Sequence, residues 1–431
     1  MMKIAFFTPV SPQKTGISDY AEQEILPYLS QFCEIDIFID KNIRPSNQAL
    51  VKEFDIFPYT DFPLREKKYD VPVYQMGNNP MHTFVYDTLM EYPGIVVLHD
   101  IYLHGFLWNT SLVTGDRQKY LEMFEYCYGK KGVTVAQTAL ATGVYPEFEY
   151  PLIKKIIDRS LGVLCHSEFG VTQVIKEHGE SMVKKINQPY NLPENTKEIP
   201  DPSSLKAELH LSGFFPVITS FGYIFSHKRY HVIIRTFKNF LQQYPRAKLV
   251  LVGEDMMNLN RMIADAGLSD SVIQTGFVSH SRAQQYLDIS DFCINLRYPT
   301  AGETSRSVLQ LMASRKPVIV SNVGWFAELP DNACLKVDVD RFEEEMLLEY
   351  MIALSSDSKF RNAIGLNAYD YIVRHHDPRQ IARDYYSFIK NVLDCNEYMI
   401  NILSRQMHAM DIREDEPALI GYSAGRLRDL F

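Results

Sequence analysis

The sequence predicts an α/β protein made of two doubly wound domains that face each other across a cleft, and three observations predict it. Short β-rich runs, apolar on both faces, alternate with segments of helical spacing, the pattern of parallel strands covered by helices on both faces. The alternation is played twice, once on each side of a stretch at 187–216 that holds Pro189, Pro193, Pro200, Pro202 and Pro216. At roughly 100–200 residues per domain, 431 residues leave room for two or three domains.

In chain order, Ile4–Phe7 reads as the first strand. A loop with Pro9, Pro12 and Gly16 follows, and then a helix that opens at Ser18. Glu34–Ile39, Val71–Gln75, Ile95–Leu98 and Leu161–Cys165 continue the first sheet. Val217–Phe221, Lys248–Val252, Val272–Gln274, Phe292–Leu296 and Val318–Val320 supply the second. The expected layout is a first Rossmann-like domain over 1–190, a linker over 191–215 and a second such domain over 216–380. Terminal helices and a charged tail occupy 381–431 and cross back to the first domain.

Composition narrows the function. The chain has 44 Lys+Arg against 53 Asp+Glu, a formal charge of −9. A split at residue 200 leaves 19 basic and 25 acidic residues before it, 25 and 28 after it. Neither half has the basic footprint of a nucleic-acid binder, so nucleic acid is excluded as partner. Six cysteines stand at no metal-ligand or redox spacing, which predicts free thiols and a reducing, cytoplasmic setting. The apolar run at the N-terminus is too short for a signal peptide, and no run of about 18 apolar residues exists.

In open α/β sheets the ligand meets loops beyond the carboxyl ends of strands, so those loops carry the functional reading. After the first strand, Gly16 lets a ligand approach the backbone beside a helix start. The alternative is a plain strand–helix turn. Gly77-Asn78-Asn79 with His82 offers hydrogen bonds to hydroxyls of a polar ligand, or else common turn chemistry. His99-Asp100 ends a hydrophobic strand. His99 can handle a proton or a hydroxyl; the competing reading has Asp100 capping the next helix and His99 in the core.

In the second half, Gly222 precedes His227, Lys228 and Arg229. Adjacent cations suit a diphosphate, and cations sit poorly at a positive helix start unless an anion joins them. The segment from Asn295 through Arg297 and Gly302 to Glu303-Thr304-Ser305 ends a buried strand and starts a helix near Thr304. Its amides and hydroxyls suit phosphate and Glu303 suits sugar hydroxyls, against a reading in which Thr304 merely caps. Asp338-Val-Asp340 precedes a helix at Phe342 and reads as capping, not as a metal site. Tyr126, Tyr128, Lys130 and Lys131 belong to a partly buried helix with a charged turn, or to a contact with a membrane or lipid-linked acceptor.

These residues resemble the family-4 glycosyltransferases, which have the GT-B fold. The likeness is greatest to a bacterial branch and rests on Gly16–Tyr20, Gly77–His82, Leu98–Asp100, Phe221–Arg229, Leu296–Ser305 and Val323–Pro330. It spans roughly residues 3–390. It implies retaining transfer of a sugar from a nucleotide-sugar donor to a glycan or lipid-linked acceptor of a cell-surface polysaccharide, with no cofactor and no metal, at the inner face of the membrane. It implies His99, Asp100 and Glu303 as catalytic, with His99 near the reacting centre and Glu303 on the donor sugar. Gly16, Gly222, Lys228, Arg229, Arg297, Gly302, Thr304 and Ser305 would bind the donor, and Asn78 and His82 the acceptor. The family's second glutamate, about eight residues after the first, is absent. Gln310 and Leu311 stand there, and Gln310 can meet ribose hydroxyls as a neutral amide. Tyr223 replaces the family's arginine before the lysine. A non-catalytic nucleotide-sugar-binding scaffold and a GT-B epimerase or phosphorylase are the alternative readings.

Overall fold

The computed structural model describes residues 1–113, 115–179, 182–192 and 202–409. Positions 193–201 of the expected linker and the tail from 410 lie outside these residues.

The first sheet has seven parallel strands: β1 (Lys3–Phe7), β2 (Glu34–Ile39), β3 (Asp55–Pro58), β4 (Val71–Met76), β5 (Gly94–Leu98), β6 (Ser160–Cys165) and β7 (Val183–Lys185). Their order is β3-β2-β1-β4-β5-β6-β7. The second sheet has six: β8 (Val217–Phe221), β9 (Lys248–Val252), β10 (Val272–Gly276), β11 (Phe292–Asn295), β12 (Val318–Ser321) and β13 (Leu335–Val337), in the order β10-β9-β8-β11-β12-β13. Both orders reverse direction once, between β1 and β4 and between β8 and β11. Loops leave in opposite directions at such a switch point and open a crevice at the carboxyl edge. The two halves are thus two Rossmann-like domains, the GT-B arrangement.

Strand alternation sends side chains to both faces. Ile4 and Phe6 of β1 join one buried cluster, Ala5 and Phe7 the other. The first of these clusters is completed from far along the chain. Ile381, Ala382, Tyr385, Phe388, Ile389 and Val392 of the helix Pro378–Ala409 pack into it beside Ile4 and Phe6. That helix follows the second domain in sequence and lies on the sheet of the first.

The structure moves several boundaries. β3, β7 and β13 were not predicted. The first is an edge strand ending in Pro58, and β7 is a three-residue edge strand carrying Lys184 and Lys185, so neither has the all-apolar signature. Part of the predicted linker is ordered: Pro202–Glu208 is helical, and Leu205, Leu209 and Leu211 pack on Val217, Val250 and Val252 of the second domain. The first helix begins at Gly16 and not at Ser18, because Thr15 caps it by accepting from the Ile17 amide. The helix expected near Thr304 is Arg306–Ala313, capped by Ser305, whose Oγ accepts from the Val308 amide. Asp100 caps no helix. The next one starts at His104, and Asp100 accepts from the Asn78 amide at 2.7 Å. Asp340 accepts from the Phe342 amide ahead of the helix Glu343–Ser356, and Asp338 accepts from Asn322. Among the described residues no helix is long and apolar enough to cross a membrane.

Candidate active site in the cleft between the domains

Both switch points open onto the same place. Two adjoining cavities of about 310 and 360 Å³ share Asn78, Asp100, Glu303, Thr304 and Arg306. From the first domain come Gly16 and Tyr20 after β1, His82 after β4 and His99 after β5. From the second come His227 after β8, and Arg297 and Ser305 after β11. Gly16 lines one cavity, and a Cβ there would meet nothing within 4 Å, so packing does not require a glycine at that position.

The second domain's side of the cleft is cationic. Lys228 is buried, with Nζ 3.3 Å from the Phe221 carbonyl and within 2.8 Å of where a Gly222 side chain would stand. Gly222 has φ +99, a backbone conformation that calls for glycine, whereas the Lys228 ammonium at the end of its flexible chain could move aside. Burial, and then Arg297, push the Lys228 ammonium well below its usual range, while Glu303 opposes the shift. Arg297 Nε stands 3.2 Å from Glu303 Oε1, and Thr300 donates to Glu303 Oε2 at 2.8 Å. A bound anion would relieve the repulsion between Lys228 and Arg297; Glu303 pairs with Arg297, whereas the Lys228 Nζ meets the Phe221 carbonyl.

Arg306 was not predicted. It sits in the first turn of Arg306–Ala313, lines both cavities and crosses to the first domain, where its guanidinium meets Glu24 at 2.9 Å. The rule applied to Lys228 and Arg229, that a cation at a helix start needs an anion, would have found it. Glu24 is fully buried, and burial outweighs Arg306 in pushing its carboxyl up to about 7.

The first domain's side is neutral or acidic. Burial pushes Asp100 up to about 7, helped by Glu303 and Glu147 and opposed by the Asn78 amide and Arg297. His99 lies well below its usual range through burial and the neighbouring His166 and His82. It is therefore a neutral ring at physiological pH. His227 is lowered to about 3 by burial, Arg297 and Lys228.

Other predicted residues are engaged elsewhere. Arg229 does not face the cleft. Both arms of its guanidinium bond the buried Glu343. Gly302, at φ +78, is needed for domain contact, because a Cβ there would stand 2.8 Å from Ile101 and 3.0 Å from Phe169. Gln310 lines neither cavity, and its Nε2 is buried without a hydrogen-bond partner. Asn78 lines both cavities but spends its Oδ1 on the Phe106 amide. His82 holds the Gln75 carbonyl through Nδ1. Thr304 donates across the cleft to the His166 carbonyl at 3.4 Å. Tyr128 accepts from the Leu152 amide, whereas Tyr126, Lys130 and Lys131 are exposed. Among the described residues, no group of three His, Cys, Asp or Glu side chains is placed to hold a metal.

The cleft is held together by three further contacts. Ala301 accepts from the Ile101 and Tyr102 amides at 2.8 and 3.1 Å. Glu328 accepts from the Phe169 and Glu168 amides at 2.8 and 3.0 Å and pairs with Lys185 at 3.1 Å. A carboxylate of the second domain thus takes the first free amides of a helix of the first, Glu168–His178.

Comparison with known proteins follows the same division. Residues 205–371 match the family model described as glycosyl transferases group 1. Among the curated proteins no match is found. Among solved structures, the chain is similar to HepE of Anabaena, solved with UDP and glucose, at a TM-score of 0.64 and 16% identity, covering 90% of this chain and 100% of that one. It is similar to sucrose-phosphate synthase of Thermosynechococcus elongatus at 0.62 and 16%, covering 92% and 100%. It is similar to WaaG, a glycosyltransferase involved in lipopolysaccharide biosynthesis, at 0.58 and 14%, covering 90% and 99%. At such identities the likeness establishes the fold: the described residues have the GT-B fold, and the second domain carries the segment that the group 1 glycosyl transferase model matches.

Proposed function

We propose that the protein transfers a sugar, with retention, from a nucleotide-sugar donor to a glycan or lipid-linked acceptor of a surface polysaccharide. The observation that carries this reading is the convergence of Arg297 and the cationic start of Arg306–Ala313 on the two cavities, with Lys228 buried behind them and lining neither, opposite His99 and Asp100. Nucleoside diphosphate departs with growing negative charge. Two fixed cations and a helix start answer that charge without reorganising. Glu303, between Arg297 and the cavity, accepts from donor-sugar hydroxyls. His99 exchanges hydrogen bonds with the sugar as a neutral ring, and Asp100 stands where the acceptor hydroxyl enters. The group 1 segment and the UDP and glucose bound in HepE support a nucleotide-sugar donor. The exposed Tyr126, Lys130 and Lys131 suit a peripheral contact with a membrane that carries the acceptor.

A thermal-shift screen against UDP-, GDP-, ADP- and dTDP-sugars tests the donor. A ligand at 100 times its dissociation constant adds about 2.7 kcal/mol of stability. No shift with any of them would contradict the reading. Retention is read from the anomeric configuration of the product by NMR.

A further inference from the structure

His99 differs from the buried histidines beside it in what fixes its proton. His82 sets Nδ1 2.9 Å from the Gln75 carbonyl, and His166 sets Nδ1 2.8 Å from the Ile186 carbonyl. A carbonyl oxygen only accepts, so both rings carry their proton on Nδ1. His99 instead sets Nε2 2.9 Å from the side-chain Oε1 of Gln75. An amide side chain can turn over and offer its NH2 in place of its oxygen, so it fixes a tautomer only when something fixes the amide.

That something comes from the end of the chain. The Gln75 Nε2 donates to the Tyr385 hydroxyl at 2.9 Å. Gln75 and Tyr385 are both fully buried, and Tyr385 is clamped among Ile4, Phe6, Ile381 and Ile389. In the orientation the structure gives, the NH2 meets Tyr385 and the amide oxygen faces His99, which requires a proton on Nε2. The Tyr385 hydroxyl can donate as well as accept, and it holds this orientation when its own proton is turned away from Gln75. His99 Nδ1 is then a bare acceptor, and it makes no hydrogen bond among the described residues while the ring lines the cleft. Tyr20 packs edge-on against the ring at 4.6 Å and holds its plane.

We propose that Gln75 and Tyr385 are positioning residues that hold His99 as its Nε2–H tautomer, with Nδ1 presented to the cleft as an acceptor for a substrate hydroxyl. The helix Pro378–Ala409 thereby completes the site from the far side of the first sheet. The consequence for turnover rests on the sugar-transfer reading; the tautomer does not.

The test is long-range proton–nitrogen NMR of the full chain with 15N-labelled histidine, the His99 signals being those missing from His99→Gln. The wild type is expected to show the Nε2–H form. Tyr385→Phe removes the acceptor that pins the amide. His99 is then expected to shift wholly or partly to Nδ1–H, with kcat lower by about 10–100-fold, the scale for losing such an outer partner, and little change in the KM of the nucleotide-sugar. A carboxylate only accepts, so adding Gln75→Glu to Tyr385→Phe is expected to restore Nε2–H and most of kcat. Wild-type His99 protonated on Nδ1, or an unchanged His99 spectrum in Tyr385→Phe, would overturn the proposal. The wild-type spectrum decides even where a variant folds poorly. A shifted tautomer with undiminished turnover would overturn the positioning role and leave sugar transfer standing. The predicted tautomers in a protein that turns over no nucleotide-sugar would instead sink the sugar-transfer reading alone.

Discussion

Lys228 is a basic group that the fold buries at some cost, near a second cation, Arg297. Its charge matters most as the leaving group develops. Lys228→Met keeps much of the stem's packing and removes the charge. The expected rate loss is about 10²–10³-fold, the scale for one preorganised electrostatic donor. The melting temperature should change little, because the repulsion with Arg297 goes with the charge. Steady-state kinetics beside a melting curve checks both. Glu303→Ala should weaken the nucleotide-sugar more than the free nucleoside diphosphate, since Glu303 repels phosphate; titration with each ligand reads the split. Asp100 gives a pH signature. Its carboxyl is raised from an ordinary 3.8 to about 7 on folding. The folded state then holds a proton that the unfolded state has lost, so its contribution is intact below about pH 4 and is lost as the pH rises through about 7. Unfolding free energies of wild type minus Asp100→Asn, measured by urea between pH 4 and 8, should fall with pH. A flat difference would contradict the burial of that carboxyl. At this scale the sequence brings His99, Asp100, Arg297 and Glu303 to the cavities in the cleft, while Lys228 lies buried behind them. The sequence is not legible where the partner lies on another element. Arg229 reads as a phosphate ligand until Glu343, 114 residues on, takes its guanidinium.

Elements are legible where β-rich runs, largely apolar on both faces, stand out from helical spacing. β2, β8 and β9 fall where the sequence places them although Asp36, Thr219 and Ser220 interrupt their apolar runs. The edge strands β3, β7 and β13 escape, whereas the edge strand β10 is placed at Val272–Gln274. Helix starts shift by one or two residues because several hydroxyls compete for the cap; Thr304 was the candidate and Ser305 does it. Ser305→Ala therefore removes a cap from a helix whose first turn lies on the donor site. The expected cost is about 1 kcal/mol of stability in a denaturant titration. A larger loss of kcat than of stability would mean that the hydroxyl also meets the donor.

The molecule as a whole is two switch points pressed together, and polar contacts join them beside the packing of Gly302 on Ile101 and Phe169. Glu24–Arg306 and the Glu328 cap of Glu168–His178 both join the domains, and neither could be read from sequence, because each pairs residues more than 150 positions apart. Glu328→Ala should favour an open cleft. Small-angle scattering should give a larger radius of gyration, and the KM for donor should rise in inverse proportion to the closed fraction. Metal plays no part in the account, so transfer should persist in excess EDTA. A loss restored by Mg²⁺ or Mn²⁺ would bring Asp338 and Asp340 into the site. The central claim is that the cationic side of the cleft expels a nucleoside diphosphate from a nucleotide-sugar. It is met most directly by measuring nucleoside diphosphate release from the four donor classes, with the wild type and folded Lys228→Met side by side. The account predicts release from at least one donor, falling about 10²–10³-fold in the variant. No release from any donor, or equal release by both proteins, would contradict it.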